Sequence, residues 1–160
     1  MREIIFVAGI HGVGKTTFCN QLSEITNKKH FSCSDLIRTY KTLPTTNKFI
    51  SEINSNQKLL KKAIDTLLND NDSYILDGHF CLLNTNHEIV KLPIETFEAL
   101  NISKVILLSL DSNKILKNLE SRDNALYSLD LITEFATQEL NHCKFVCNNL
   151  NIPFKIIRRN

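Results

Sequence analysis

Eight residues near the start of the chain, Gly9-Ile10-His11-Gly12-Val13-Gly14-Lys15-Thr16, fit the pattern G-x-x-x-x-G-K-[ST] without a mismatch. Such glycines let successive backbone N–H groups turn inward around an anion, where a helix begins and its dipole favours negative charge. The chemistry open to this loop is to hold a phosphate chain. Lys15 reaches the outer phosphates, the Thr16 hydroxyl coordinates a Mg²⁺ that bridges them, and Thr17 stands near the innermost one. ATP with Mg²⁺ is the expected ligand. His11 and Val13 fill variable positions, and His11 adds an imidazole at the lip of the cradle. Asp77, at the end of an apolar run, is the expected second metal partner, because a carboxylate there can hold the ion's water shell. Asp111 also ends an apolar run, but its place before Ser112-Asn113 suits a helix cap.

These side chains need a scaffold, and the apolar pattern supplies one. Ile4 to Ala8 is a continuous apolar run entering Gly9, as a parallel strand covered on both faces would be. Phe18, Leu22 and Ile25 predict the buried face of a helix from Lys15 to about Ile25. A short strand is expected at Phe31 to Cys33, then a helix starting at Ser34-Asp35 and closed by Pro44. Leu59, Leu60, Ala63, Ile64, Leu67 and Leu68 predict another helix, ended by the turn formers Asn69 to Ser73. Tyr74-Ile75-Leu76 is the third strand. Phe80 to Leu92 predicts a hairpin turning at Asn84-Thr85-Asn86, followed by Pro93 and a short helix with Phe97 and Leu100. Val105 to Leu110 is the fourth strand, a helix with Ile115, Leu116 and Leu119 follows, and Glu120 to Asn124 is expected as a polar break. Ile132, Phe135, Ala136, Leu140, Cys143, Val146, Cys147 and Leu150 keep a helical period, and Pro153 to Ile157 supplies the last strand. This alternation predicts a three-layer α/β fold of the P-loop NTPase type, with a five-stranded parallel sheet, helices on both faces and a single domain over 1–160.

The charge balance of 19 basic and 17 acidic residues lacks the basic excess of a duplex-binding protein, so nucleic acid is not signalled as a partner. No apolar run approaches the roughly 20 residues that span a bilayer, so no membrane association is expected. Five cysteines, an odd number scattered among apolar positions, point to reduced thiols and a cytoplasmic setting. His142-Cys143 and Cys147 lie a turn apart on an apolar helix face and read as core, not zinc ligands. The pairs Lys28-Lys29, Lys61-Lys62 and Arg158-Arg159 are separated along the chain and read as solvated surface. Asn56-Gln57 offers amides that suit either a base edge or the first turn of a helix.

Phe31-Ser32-Cys33-Ser34-Asp35-Leu36-Ile37-Arg38 resembles the segment after the second strand of adenylate-kinase-like nucleotide kinases, with Ser, Asp and Arg in register. Asp77-Gly78-His79 is similar to the end of their third strand, most of all in the short archaeal-type and nuclear adenylate kinases, which have a His at that place. Arg122-Asp123-Asn124 is similar to their lid, and the resemblance spans nearly the whole chain. It implies transfer of the γ-phosphoryl group of ATP to a nucleotide or other small phosphate acceptor, with an acceptor-binding insertion at about 34–72 and a lid at about 120–129. It also implies Lys15 and Arg122 on the transferred group, Asp77 on the metal and Arg38 on the acceptor. Two positions depart from that pattern: Cys81 stands where the acceptor-phosphate Arg is found, and no second lid Arg follows Arg122 until Arg158 and Arg159.

The layout is also similar to kinases of nucleic-acid 5′-hydroxyl ends and to zeta-toxin-like kinases of sugar nucleotides. That resemblance implies a hydroxyl-directed kinase with Asp35 as base and Arg38 as clamp. Asp35 as a helix cap is the plainer alternative. The missing arginines and the apolar hairpin motivate a third, an ATP-binding or ATPase switch that acts through a protein partner.

Overall fold

A computed structural model of the chain describes residues 1–43, 53–123 and 127–160. Pro44, Asn124 and those parts of the 34–72 and 120–129 segments that fall between these spans lie outside the described residues, as do the side chains of Asn56, Gln57 and Asp123. In chain order the elements are β1 (Glu3–Ala8), α1 (Lys15–Thr26), β2 (Lys29–Ser32), α2 (Cys33–Lys41), α3 (Ile53–Leu67), β3 (Ser73–Gly78) and β4 (Cys81–Leu83). They continue with β5 (Ile89–Lys91), α4 (Ile94–Leu100), β6 (Lys104–Ser109), α5 (Ser112–Asp123), α6 (Leu129–Leu150) and β7 (Phe154–Arg158).

Five of the strands form one parallel sheet in the order β2-β3-β1-β6-β7. The chain leaves β1 first toward β2 and β3 and later toward β6 and β7, so the strand order reverses beside β1, where α/β sheets open a crevice at their carboxyl ends. Period-two alternation of apolar residues covers both faces. Ile4, Phe6, Tyr74, Leu76, Val105 and Leu107 pack against α2, α3, α4 and the far half of α6. Val7, Ile75, Ile106 and Leu108 pack against Cys19 of α1, Ile115 and Leu119 of α5, and Ile132 and Phe135 of α6. Each large side chain so buried contributes about 1.5–3 kcal/mol. β4 and β5 pair antiparallel, and the Asn84 side chain accepts the N–H groups of Asn86 and Glu88 in the expected hairpin turn.

Several boundaries differ from expectation for identifiable reasons. β2 ends at Ser32, and Cys33 already belongs to α2, because the Ser32 hydroxyl accepts the Asp35 N–H and caps the helix two residues before Ser34. Asp35 is therefore a first-turn residue of α2, and neither it nor Ser34 is the cap. Ile25, expected on the buried face of α1, is 82% exposed. The buried stripe is centred on Cys19 and turns Ser23 and Thr26 inward, one residue away from the Phe18–Leu22–Ile25 line. The expected polar break at Glu120 to Asn124 is helix as far as Asp123, because polar residues there occupy the solvent face of α5. Asp111 is the cap of α5, its carboxylate accepting the Asn113 N–H.

Candidate active site

The loop from Gly9 to Gly14 leaves the buried end of β1 and enters α1 through Lys15. Gly12 and Gly14 take φ of 91° and 95°, where an L side chain is strained. Gly12 is also enclosed: an added Cβ would lie 3.1 Å from Leu119 and 3.2 Å from the Ile115 carbonyl. α5 fixes the loop further, since the Asn118 amide donates to the Gly12 carbonyl at 2.8 Å. Val13 is buried beneath the loop in the core. The Lys15 ammonium donates to the Gly9 carbonyl at 2.5 Å and to that of Ile10 at 3.4 Å. Burial lowers the Lys15 pKa, and the nearby Glu139 and Asp77 carboxylates oppose that shift.

A cleft of about 400 Å³ opens above the loop. It brings together His11, Gly12, Gly14, Lys15 and Thr16 of the loop, Asp35 of α2, Asp77 of β3 and Arg122 of α5. Gly9 does not line the cleft, though its carbonyl accepts from Lys15, and Thr17 is exposed on the first turn of α1. Arg38 does not line the cleft. Its guanidinium donates to Asp35 at 2.6 Å, and the two side chains are 72% and 61% exposed. Such an exposed pair contributes about 0–1 kcal/mol.

Four contributors escaped the sequence. His30, at the edge strand β2, pairs through Nε2 with the Asp77 carboxylate. Cys19 packs alongside, and burial, with Asp77 adding to it, pushes its thiol up to about 12. Arg159 stacks over Phe18, 5.5 Å from the ring centroid, and reaches the side of Gly14. The most consequential is Glu139 of α6, only 2% exposed, whose carboxylate accepts the N–H groups of Phe80 at 2.9 Å and Cys81 at 2.7 Å. Burial raises its pKa to about 7, against the pull of those bonds and of Lys15. Its sequence signal was a carboxylate in the apolar stripe of α6, four residues from both Phe135 and Cys143.

Glu139 thereby holds the chain just beyond β3, which carries His79. The His79 ring lies against the Gly9 backbone, and its Nδ1 is buried with no hydrogen-bond partner. Burial, with Lys15 and His11 beside it, pushes the His79 pKa down to about 3, so the ring is neutral. On the other side of His79 lies a second cavity of about 190 Å³, between β3, α2, α3, α4 and the hairpin.

The family model of an AAA domain matches residues 8–134, from the end of β1 to the start of α6. No curated protein matches the chain. Among solved structures, a gluconokinase from Sinorhizobium meliloti 1021 is similar with a TM-score of 0.55 at 12% identity, over 99% of this chain and 84% of that one. A protein from Eubacterium ventriosum ATCC 27560 is similar with a TM-score of 0.50 at 14% identity, over 97% of this chain and 88% of that one. At these identities the likeness is one of fold. With its phosphate loop at the switch point of a five-stranded parallel sheet and the match over most of its length, the chain belongs to the AAA domain family.

Proposed function

We propose that the protein is an ATP–Mg²⁺-dependent phosphotransferase with a small acceptor whose nucleophile is a hydroxyl group. The observation that carries this reading is the convergence of Lys15, Thr16, Asp77 and Arg122 on one cleft that adjoins a second, inner cavity. The Thr16 hydroxyl and the Asp77 carboxylate are hard oxygen donors of the kind Mg²⁺ takes, and they are the residues that would hold it. When bound, the ion supplies positive charge to the phosphate oxygens. Lys15 and Arg122 add to that charge as the phosphoryl group moves. The kinase named among the solved structures of like fold supports transfer over hydrolysis alone.

A hydroxyl suits the surroundings better than an acceptor phosphate. Among the described residues no Lys or Arg lines the inner cavity, Arg38 is engaged by Asp35, and Cys81 is buried where an arginine would be needed. An acceptor phosphate would forgo charge-assisted bonds of about 1.5–3 kcal/mol each.

The test is transfer of labelled γ-phosphate to a panel of alcohols, nucleosides and nucleoside monophosphates. Lys15→Met is expected to lower transfer by roughly 10²–10³-fold, and undiminished transfer would refute the reading. Label on monophosphates alone would restore the nucleotide-acceptor reading. Release of free phosphate that rises only with a partner protein would favour a switch. Asp35, exposed and held by Arg38, is expected to matter less than about tenfold in kcat as Asp35→Asn; a fall of about 10²–10⁴ would restore it as the base.

A further inference from the structure

β7 is an edge of the five-stranded sheet: β6 pairs with one side of it, and among the described residues no strand pairs with the other. The ladder assigns its backbone groups. The Pro153 carbonyl accepts from Val105 and the Arg159 N–H donates to Ser109, so the odd-numbered residues of the strand turn inward to β6. Phe154, Ile156 and Arg158 therefore point their N–H and C=O groups into the open edge. Their side chains share the face toward α6, where Phe154 packs in one core with Leu140. On that face a cavity of about 320 Å³ lies between Ile156 and Arg158, the end of β6, and Thr133, Thr137 and Leu140 of α6. Ile156 is 41% exposed beside it. Lys155 and Arg158 are exposed too, and among the described residues neither has an ionic partner. In a symmetric edge-to-edge pair each copy would set these two cations and Arg159 against the same three of the other, and like charges so opposed are destabilising. The complement of this edge is an extended segment that brings carboxylates.

We propose that the free edge of β7 is a docking site for an extended, acidic segment of a partner protein, which joins the sheet as a further strand. The main chain of that segment pairs with the outward groups of Phe154, Ile156 and Arg158, and this pairing supplies affinity for any extended chain. Selectivity comes from the side chains. On the α6 face an apolar side chain lies beside Ile156 at the cavity and a carboxylate meets Arg158, while on the opposite face a second carboxylate meets Lys155. β7 runs on into Arg159, which stacks over Phe18 and reaches the side of Gly14, so the docked segment lies along the strand that delivers this cation to the phosphate loop.

The probe is a fluorescein-labelled peptide, Glu-Glu-Val-Val-Glu-Glu, with Lys-Lys-Val-Val-Lys-Lys as its control, titrated into the full chain. The acidic peptide is expected to bind and the basic one is not. Hydrogen exchange read residue by residue reports the pairing: bound peptide should slow the amides of Phe154, Ile156 and Arg158 by about tenfold or more, while those of Lys155 and Ile157, already bonded to β6, change little. Ile156→Pro deletes one outward N–H, a change that an edge strand tolerates, and should weaken binding by about tenfold or more. Lys155→Glu combined with Arg158→Glu should weaken the acidic peptide by a similar factor, about tenfold, and admit the basic one. Circular dichroism reports the fold of each variant; if Ile156→Pro does not fold, the exchange pattern and the charge reversal decide. Absence of binding by the acidic peptide overturns the proposal, as does binding that leaves the three outward amides unchanged. Binding that a folded Ile156→Pro chain retains in full also overturns it. Sedimentation showing the chain alone as a dimer that Ile156→Pro dissociates would assign the edge to a second copy and overturn the choice of partner.

Discussion

Glu139 and His79 lie on the same stretch of chain beyond β3, one holding it and the other belonging to it, and burial moves their protons in opposite directions. Between about pH 4.5 and 6.5 the Glu139 carboxyl, raised to about 7, keeps a proton that it loses on unfolding. Its contribution to stability is full below pH 4.5 and is lost as pH rises through 7. Over the same window His79, lowered to about 3, is neutral in the native state and takes up a proton on unfolding. Its contribution is full above 6.5 and is lost as pH falls. Each slope is about 1.4 kcal/mol per pH unit, and the two oppose. Urea midpoints across this window should therefore gain a rising slope with pH in Glu139→Gln and a falling one in His79→Asn, relative to the unsubstituted protein. Parallel profiles for all three proteins would contradict the assignment.

Among the elements, the loop and α5 act as a pair, and their two left-handed glycines differ in surroundings. Gly12→Ala meets Leu119 and the Ile115 carbonyl as well as the strain of its φ, whereas Gly14→Ala meets only the tip of Arg159 at 3.8 Å. Gly14→Ala is expected to cost about 1–2 kcal/mol from strain, and Gly12→Ala more by about 1–3 kcal/mol from overpacking. Thermal melts of the two variants check the order, and equal losses would show that α5 yields freely. The strand before this loop, and the alternation that surrounds it, could be read from sequence because continuous apolar runs bounded by Gly and Asp have few other uses. The start of α2 could not, since Ser32 and Ser34 are equally capable caps and only the register of β2 on β3 selects between them. Local pattern also placed Ile25 on the wrong side of α1, because the face that meets the sheet is decided by the sheet. Of the candidate site, the phosphate loop and Asp77 were legible as motif and strand end. The pairings His30–Asp77 and Glu139–Phe80 join residues 47 and 59 apart, and no local spacing announces them.

Taken as a whole, the molecule keeps four of its five thiols buried and the fifth, Cys33, half-buried. All five cysteines are free, and burial pushes the thiols of Cys19, Cys33 and Cys81 up to about 12. The Cys143 thiol is raised by its hydrogen bond to Cys147, whose own thiol is lowered by the same hydrogen bond but shielded by burial. Alkylation at pH 7.5 is expected to be slow in the native state and to reach five groups in denaturant; mass spectrometry that finds two or more groups added rapidly to the folded protein would disprove this. The Lys15 ammonium, turned onto the Gly9 and Ile10 carbonyls, has a different consequence. Burial already draws this charge away from solvent during folding, so an arriving triphosphate exchanges one set of oxygens for another and has less water to strip. The strain of drying a cation thus falls on the fold and not on the encounter. Lys15→Met should then melt higher than the unsubstituted protein, by roughly 2–4 °C for each kcal/mol relieved, while failing in phosphoryl transfer.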